Sequence, residues 1–144
     1  MGGPMRERTR ERIKTVKVWK LTEELALTEA QSQRFFPIYN AFMDSREKIE
    51  EQRFGIIRKL DDLTAKENPP EAEITEQLNQ LDDLDRRIGA ERQKFRADLN
   101  DVLTVRQIGR LYVFEVTFMR QMQDIIRDIR KEMKDNSPGR GPRD

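Results

Sequence analysis

Residues 27–31 read Leu-Thr-Glu-Ala-Gln and residues 103–107 read Leu-Thr-Val-Arg-Gln, so the pattern L-T-x-x-Q occurs twice in this chain. The pattern predicts a helix start. A threonine at the N-cap accepts a hydrogen bond from a first-turn N–H, and a glutamine three residues later reaches back to the N-cap N–H. The leucine before each threonine is placed to pack against that first turn. The predicted capping residues are Leu27, Thr28, Gln31, Leu103, Thr104 and Gln107.

A third helix boundary lies at Pro69-Pro70, where two prolines end one helix and begin the next. Together with the two capping motifs, this boundary divides the chain into four predicted helices. They lie near residues 9–25, 29–65, 71–100 and 105–134. Pro37 falls inside the second helix and removes one backbone hydrogen bond, which predicts a kink at that point.

The second and third predicted helices carry apolar residues at steps of three and four, which is the spacing of an antiparallel coiled-coil seam. The two stripes are Phe35, Tyr39, Phe42, Ile49, Ile56, Leu60, Leu63 and Ile74, Leu78, Leu81, Ile88, Phe95, Leu99, Val102. Folding at the two prolines pairs Phe42 with Phe95. It also places Arg53 opposite Asp85, a predicted ion pair across the seam. The same register sets Arg46 against Arg92, which would repel each other.

The fourth predicted helix has apolar residues on more than one face, so we expect it to contact more than one neighbour. These patterns predict an all-α fold, an elongated four-helix chain built on a long antiparallel helical hairpin. We expect residues 9–134 to form a single helical domain. Residues 1–8 are expected to be a flexible N-terminus left by cloning. Residues 135–144, rich in proline and glycine, are expected to be a disordered tail.

The composition removes most catalytic chemistry from consideration. The 144 residues contain no Cys and no His, which excludes thiol nucleophiles, disulfides, Ser-His-Asp triads and the usual zinc ligands. Adjacent acidic pairs such as Asp61-Asp62 do not converge on one point when they lie on a helix. We therefore predict no catalytic residue, no cofactor, no metal site and no enzymatic activity.

Charge and hydropathy also limit the partners of the chain. The 28 Lys and Arg nearly balance the 27 Asp and Glu, so the basic stretch from Arg6 to Lys20 is interpreted as a solvated helical face. We accordingly predict no nucleic-acid partner. The most apolar window, residues 111–119, is far shorter than the roughly 20 apolar residues of a membrane span. No membrane insertion is predicted, and no leader peptide is visible in the chain.

The two motif segments resemble the Spy/CpxP family of bacterial envelope-stress proteins. Residues 21–40 (LTEELALTEAQSQRFFPIYN) are similar to the first motif of that family, including its aromatic-aromatic-Pro-x-Tyr continuation. Residues 95–110 (FRADLNDVLTVRQIGR) are similar to the second. The resemblance implies a periplasmic, all-helical protein that forms a homodimer shaped as a curved cradle. Members of the family act as ATP-independent chaperones, as regulators of sensor kinases or as metal-responsive sensors.

The resemblance favours a holdase-type chaperone that binds unfolded or partly folded clients on a concave surface with apolar and charged side chains. The alternative is an envelope-stress regulator that binds a sensor kinase or an anti-sigma partner. A metal-responsive sensor is disfavoured because that branch relies largely on histidine. A structural coiled-coil dimer without clients is a further alternative. The candidate contacts with clients or with a second subunit are Phe36, Met43, Phe54, Ile57, Met119 and Met122.

Overall fold

The computed structural model describes the backbone of residues 4–135 and the side chains from residue 7 onward. This part of the chain consists of four α-helices and contains no β-strand. The helices are α1 (Pro4–Glu24), α2 (Glu29–Thr64), α3 (Glu71–Asn100) and α4 (Val105–Asp135). The predicted all-α fold class and the four helices are therefore confirmed.

The helices are distributed over two compact units. The hairpin unit, Thr28–Thr104, contains α2 and α3. The terminal unit combines α1, with the residues up to Leu27, and α4 from Val105 onward. The long helices pack in pairs, α2 with α3 and α1 with α4, so the region predicted as a single domain, residues 9–134, is described here as two units.

The N-terminal boundary of α1 also differs from the prediction. The helix begins at Pro4 instead of residue 9, so residues 4–8 of the stretch predicted to be flexible are helical. Proline suits the first helical position because its ring fixes φ and its missing N–H needs no partner there. The Arg and Glu residues that follow have high helix propensity. Of the predicted tail, only Asp135 is described, as the last residue of α4; residues 136–144 lie outside the described residues.

The hairpin unit has the antiparallel register that the two prolines predict. The rings of Phe42 and Phe95 stack with centroids 4.2 Å apart and planes inclined by 7°. Further along, Arg53 Nε lies 3.6 Å from Asp85 Oδ1, so the expected ion pair forms. The buried side chains of the seam are Phe35, Tyr39, Ile49 and Leu63 of α2 with Gln77, Leu84, Phe95 and Leu99 of α3.

One part of the α3 stripe differs from the prediction. Leu78, assigned to the seam from the sequence, is 48% exposed, whereas Gln77 and Leu84 are buried. In this half of α3, Gln77, Leu84 and Glu91 therefore face α2 in place of the predicted Leu78, Asp85 and Arg92. The shift is favourable because it buries Leu84 and leaves Asp85 in water on the flank of the seam. It also relieves the expected Arg46–Arg92 repulsion, since the residue facing α2 at this level is Glu91.

The terminal unit is held together by one face of α4. Ile108, Leu111, Phe114 and Phe118 recur at steps of three and four and are all buried. At the edge of this face, Lys17 of α1 reaches Glu115 Oε2 at 3.3 Å, and both side chains are about four-fifths buried. The Lys17 ammonium also lies 5.5 Å from the centre of the Phe118 ring. This face accounts for the packing on α1, and the remaining apolar residues of α4 stay at the surface.

Candidate functional site

The first L-T-x-x-Q motif forms the capping box that the sequence predicts. Thr28 is the N-cap of α2, and its hydroxyl accepts a hydrogen bond from the Gln31 N–H at 3.1 Å. In return, the Thr28 N–H donates to Gln31 Oε1, also at 3.1 Å. The second motif directly precedes α4, which begins at Val105. Leu27 is half-buried and Leu103 is buried, consistent with packing against the first turns.

The glutamine of each motif makes a second hydrogen bond that the sequence did not indicate. In the hairpin unit, Gln31 Nε2 donates to the Val102 carbonyl at 3.2 Å, just beyond the end of α3. In the terminal unit, Gln107 Nε2 donates to the Leu25 carbonyl at 3.0 Å, just beyond the end of α1. The last carbonyls of a helix have no partner within the helix, so each glutamine satisfies one such group. We therefore expect the motif glutamines to be fold determinants, since each connects the two helices of its own unit.

The C-terminus of α1 is shaped by a residue with left-handed backbone. Ala26 has φ 47°, a region that favours glycine. Its N–H donates to the Glu23 carbonyl at 3.1 Å, and the Leu27 N–H donates to the Thr22 carbonyl at 3.1 Å. These two bonds form a Schellman motif, the common way to end a helix. Alanine occupies the position at which glycine is usual, so the turn is strained.

The C-terminal half of α4 carries a surface stripe of apolar residues, called here the α4 stripe. Its members are Met119, Met122, Ile126, Ile129 and Met133. Met122 is half-buried, and the others are 45% to 72% exposed. The steps of three and four place them on one face of the helix. The pairs Lys17–Glu115 and Glu24–Arg110 show that α1 runs antiparallel to α4, so the part of α1 before Lys17 lies toward the stripe. That part offers two apolar side chains with described burial, Ile13 and Val16, among mostly charged residues.

A groove between α1 and α4 provides a second exposed apolar site, which the sequence interpretation missed. The groove has a volume of about 230 Å³. Trp19, the single tryptophan of the chain, is 61% exposed at its edge, and Val113 is 53% exposed across from it. Phe114 and Phe118 line its base, and Lys20 stands at the rim. The sequence contains a signal for an exposed apolar face on α1. Val16 and Trp19 are three residues apart and share a face of the helix, and the buried Leu21 lies on another face.

The six predicted contact residues fall into two groups. Phe54, Ile57 and Met119 are exposed, and Phe36, Met43 and Met122 are half-buried. Four of them lie on α2 and two on α4. Phe54 and Ile57 are neighbours on α2, and the Arg58 guanidinium covers the Phe54 ring at 5.1 Å from its centre. Phe36 packs edge-on against Phe35, with ring centroids 5.0 Å apart, so it belongs partly to the hairpin seam.

The two units carry opposite net charge. Residues 28–104 contain 12 Lys and Arg against 17 Asp and Glu, out of chain totals of 28 and 27. The hairpin unit is therefore acidic, and the segments of the terminal unit are basic. Within the acidic unit, a hydrogen bond from Arg86 to Asp83 and the charge of that carboxylate raise the pKa of Arg86. A basic surface attracts acidic groups at long range.

Residues 4–135 contain neither a metal-binding cluster nor a membrane-spanning helix. In this range, no three His, Cys, Asp or Glu side chains are grouped so that they could hold a metal ion. None of the four described helices is long and apolar enough to cross a membrane.

Comparisons of the chain with protein-family models, with curated proteins and with solved structures find no match. The resemblance to the Spy/CpxP family therefore rests on the two motif segments alone.

Proposed function

We propose that the chain is an ATP-independent, holdase-type chaperone that binds unfolded or partly folded polypeptides. The observation that carries this proposal is the α4 stripe, a regular row of exposed Met and Ile side chains on a helix with charged flanks. Apolar side chains left in water gain free energy when they meet the apolar side chains of an unfolded client, about 25 cal/mol for each Å² removed from water. Exposed apolar patches of this kind mark interaction sites.

The chemistry of the stripe suits clients of varied sequence. Methionine is unbranched and polarizable, so Met119, Met122 and Met133 can adapt to different apolar surfaces. The charges beside them act at longer range and bring a client to the surface before apolar contact forms. Trp19 supplies a large aromatic group in the neighbouring groove of the same unit, and aromatic groups of this kind often dominate binding energy. Binding of this type needs no ATP and no metal.

The resemblance to the Spy/CpxP family extends the proposal to location and assembly. On this basis, the protein is periplasmic and forms a homodimer with a cradle-like concave surface. Phe54 and Ile57 on α2 are then candidates for either client contact or subunit contact. No enzymatic activity is part of the proposal, since the chain lacks the residues of nucleophilic and histidine-based catalysis.

The experiment is suppression of aggregation of a chemically unfolded client at a one-to-one ratio without ATP. We expect the protein to suppress light scattering, and the double variant Ile126→Gln, Ile129→Gln to lose most of this effect. The matched control is Leu78→Gln, Val105→Gln, which removes two exposed apolar side chains outside the stripe. Equal activity of the two double variants would rule out the α4 stripe as the binding surface. A folded protein that suppresses no aggregation would rule out the chaperone itself.

A second candidate function is supported by the basic face of α1. Arg8, Arg10, Arg12 and Lys14 are exposed on this helix, whereas the acidic residues beside them are few. Such a face suits an acidic surface on one folded partner, such as a sensor domain, and electrostatic complementarity gives specificity for that partner. A stoichiometric complex with a single folded protein, together with indifference to unfolded clients, would favour this regulatory function.

A further inference from the structure

A groove on the hairpin unit, called here the hairpin groove, combines apolar walls with a carboxylate. It has a volume of about 440 Å³ and lies between α2 and α3 near Pro37. Ile38, Phe42 and Phe95 contribute apolar surface, and the stacked rings of the two phenylalanines form a continuous aromatic wall. Glu91 lines the same groove from α3.

Only one of the two carboxylate oxygens of Glu91 has a hydrogen-bond partner among the described residues. Its Oε1 accepts a hydrogen bond from the Ser45 hydroxyl at 2.6 Å. Its Oε2 is buried, and no donor among the described residues hydrogen-bonds to it. Buried oxygens without a partner are rare in folded proteins because desolvating them is unfavourable. An unpartnered carboxylate oxygen beside an open groove is an acceptor that a donor entering the groove can satisfy.

The surroundings of Glu91 define the chemistry of that donor. The groove holds a second carboxylate, Asp98, and one ammonium group, Lys94, so its charged groups favour a cation overall. A hard metal ion is usually held by several acidic side chains, and the described residues contain no group of three that could hold one. An ammonium or guanidinium on an alkyl stem fits better. Its head can bond the carboxylate, and its stem and charge can lie against Phe42 and Phe95.

We propose that the hairpin groove binds a Lys or Arg side chain of a client polypeptide, with Glu91 as the acceptor of the cationic head. This inference rests on the proposed function, since the client supplies the side chain. The terminal torsion of a glutamate is soft, so the Glu91 carboxylate can turn toward the groove without leaving its rotamer. The groove would thereby add a preference for basic residues next to apolar ones, complementing the basic terminal unit.

The test uses three dye-labelled 12-residue peptides of Gly and Ser that differ only in a central Leu-Lys-Leu, Leu-Gln-Leu or Leu-Glu-Leu. We expect the full chain to bind the Lys peptide about tenfold more tightly than the Gln peptide, as for a charge-assisted hydrogen bond. Glu91→Gln, which keeps the acceptor for Ser45 and removes the charge, should reduce this preference to within about twofold. Glu73→Gln, an exposed residue of α3 outside the groove, makes the same change in net charge and should keep the preference.

The outcomes separate this inference from the proposed function. Equal binding of the Lys and Gln peptides would overturn the groove assignment and leave the chaperone standing. If the protein suppressed aggregation but bound none of the three peptides, the groove assignment would likewise be overturned and the chaperone would stand. An equal loss of preference in Glu91→Gln and Glu73→Gln would show that net charge is responsible, again overturning it. In a further arm, n-butylammonium is titrated against the bound Lys peptide. Displacement at the concentration at which unlabelled peptide displaces it would assign the groove to small organic cations instead of clients.

Discussion

Replacing Gln31 with alanine is expected to lower the free energy of unfolding by about 2 kcal/mol. The side chain accepts a hydrogen bond from the Thr28 N–H and donates one to the Val102 carbonyl. Each such bond contributes about 1 kcal/mol net, and both would be lost. Thr28→Ala removes only the hydroxyl acceptor of the cap and should cost about 1 kcal/mol. The glutamine of the motif should therefore contribute more to the free energy of unfolding than the threonine does.

The assay is urea unfolding followed by far-ultraviolet circular dichroism, with the stability taken from the linear extrapolation. Gln33→Ala is the matched control, because Gln33 lies on the same helix, is exposed and should change stability by less than about 0.5 kcal/mol. A third variant, Gln31→Glu, keeps an acceptor for the Thr28 N–H but loses the donor to Val102. It should fall between the wild type and Gln31→Ala. If Gln31→Ala matched Gln33→Ala in stability, the assignment of the motif glutamines as fold determinants would be refuted.

Three further predictions concern other parts of the structure, and all are measured as changes in the free energy of unfolding. Ala26→Gly should stabilise the protein by about 0.5–1 kcal/mol, because it relieves the left-handed backbone at the end of α1; destabilisation would contradict the strain. Leu84→Ala should cost about 2–4 kcal/mol and Leu78→Ala less than about 1 kcal/mol; the reverse order would restore the seam expected from the sequence. The double-mutant cycle of Arg53 and Asp85 should give a coupling below about 1 kcal/mol, since both side chains are largely exposed; a larger value would show that solvent does not screen the pair.

The sequence predicts the local features of this fold best. The capping box at Thr28 depends on residues three positions apart, so its pattern is visible without knowledge of the tertiary structure. The hairpin register follows from a single sharp turn and two long stripes, which is why the pairing of Phe42 with Phe95 is found where it was expected. These predictions need only helix geometry and the position of two prolines.

The exact seam of α3 and the contacts of Gln31 and Glu91 depend on the tertiary structure and were not predictable from the sequence. On α3, the residues at 77, 84 and 91 continue a step of three and four from Ile74 as well as those at 78, 85 and 92 do. The apolar character of Leu78 favours one set and that of Leu84 the other, so periodicity alone does not choose. The second hydrogen bond of Gln31 and the unpartnered oxygen of Glu91 involve residues far apart in sequence. A pattern read along one chain contains no signal for either.

The way the chain is divided between its two units has a consequence for biosynthesis. The hairpin unit is one uninterrupted segment, whereas the terminal unit joins the first helix to the last. At the usual ribosomal rate of about 5–20 residues per second, the hairpin unit can be complete while α4 is still being made. About 80 residues separate the end of α1 from the start of α4, so the nascent α1, with Trp19 and Leu21, waits roughly 4–16 seconds before synthesis of its packing partner begins. During that interval the newborn protein itself exposes the kind of surface that chaperones recognise.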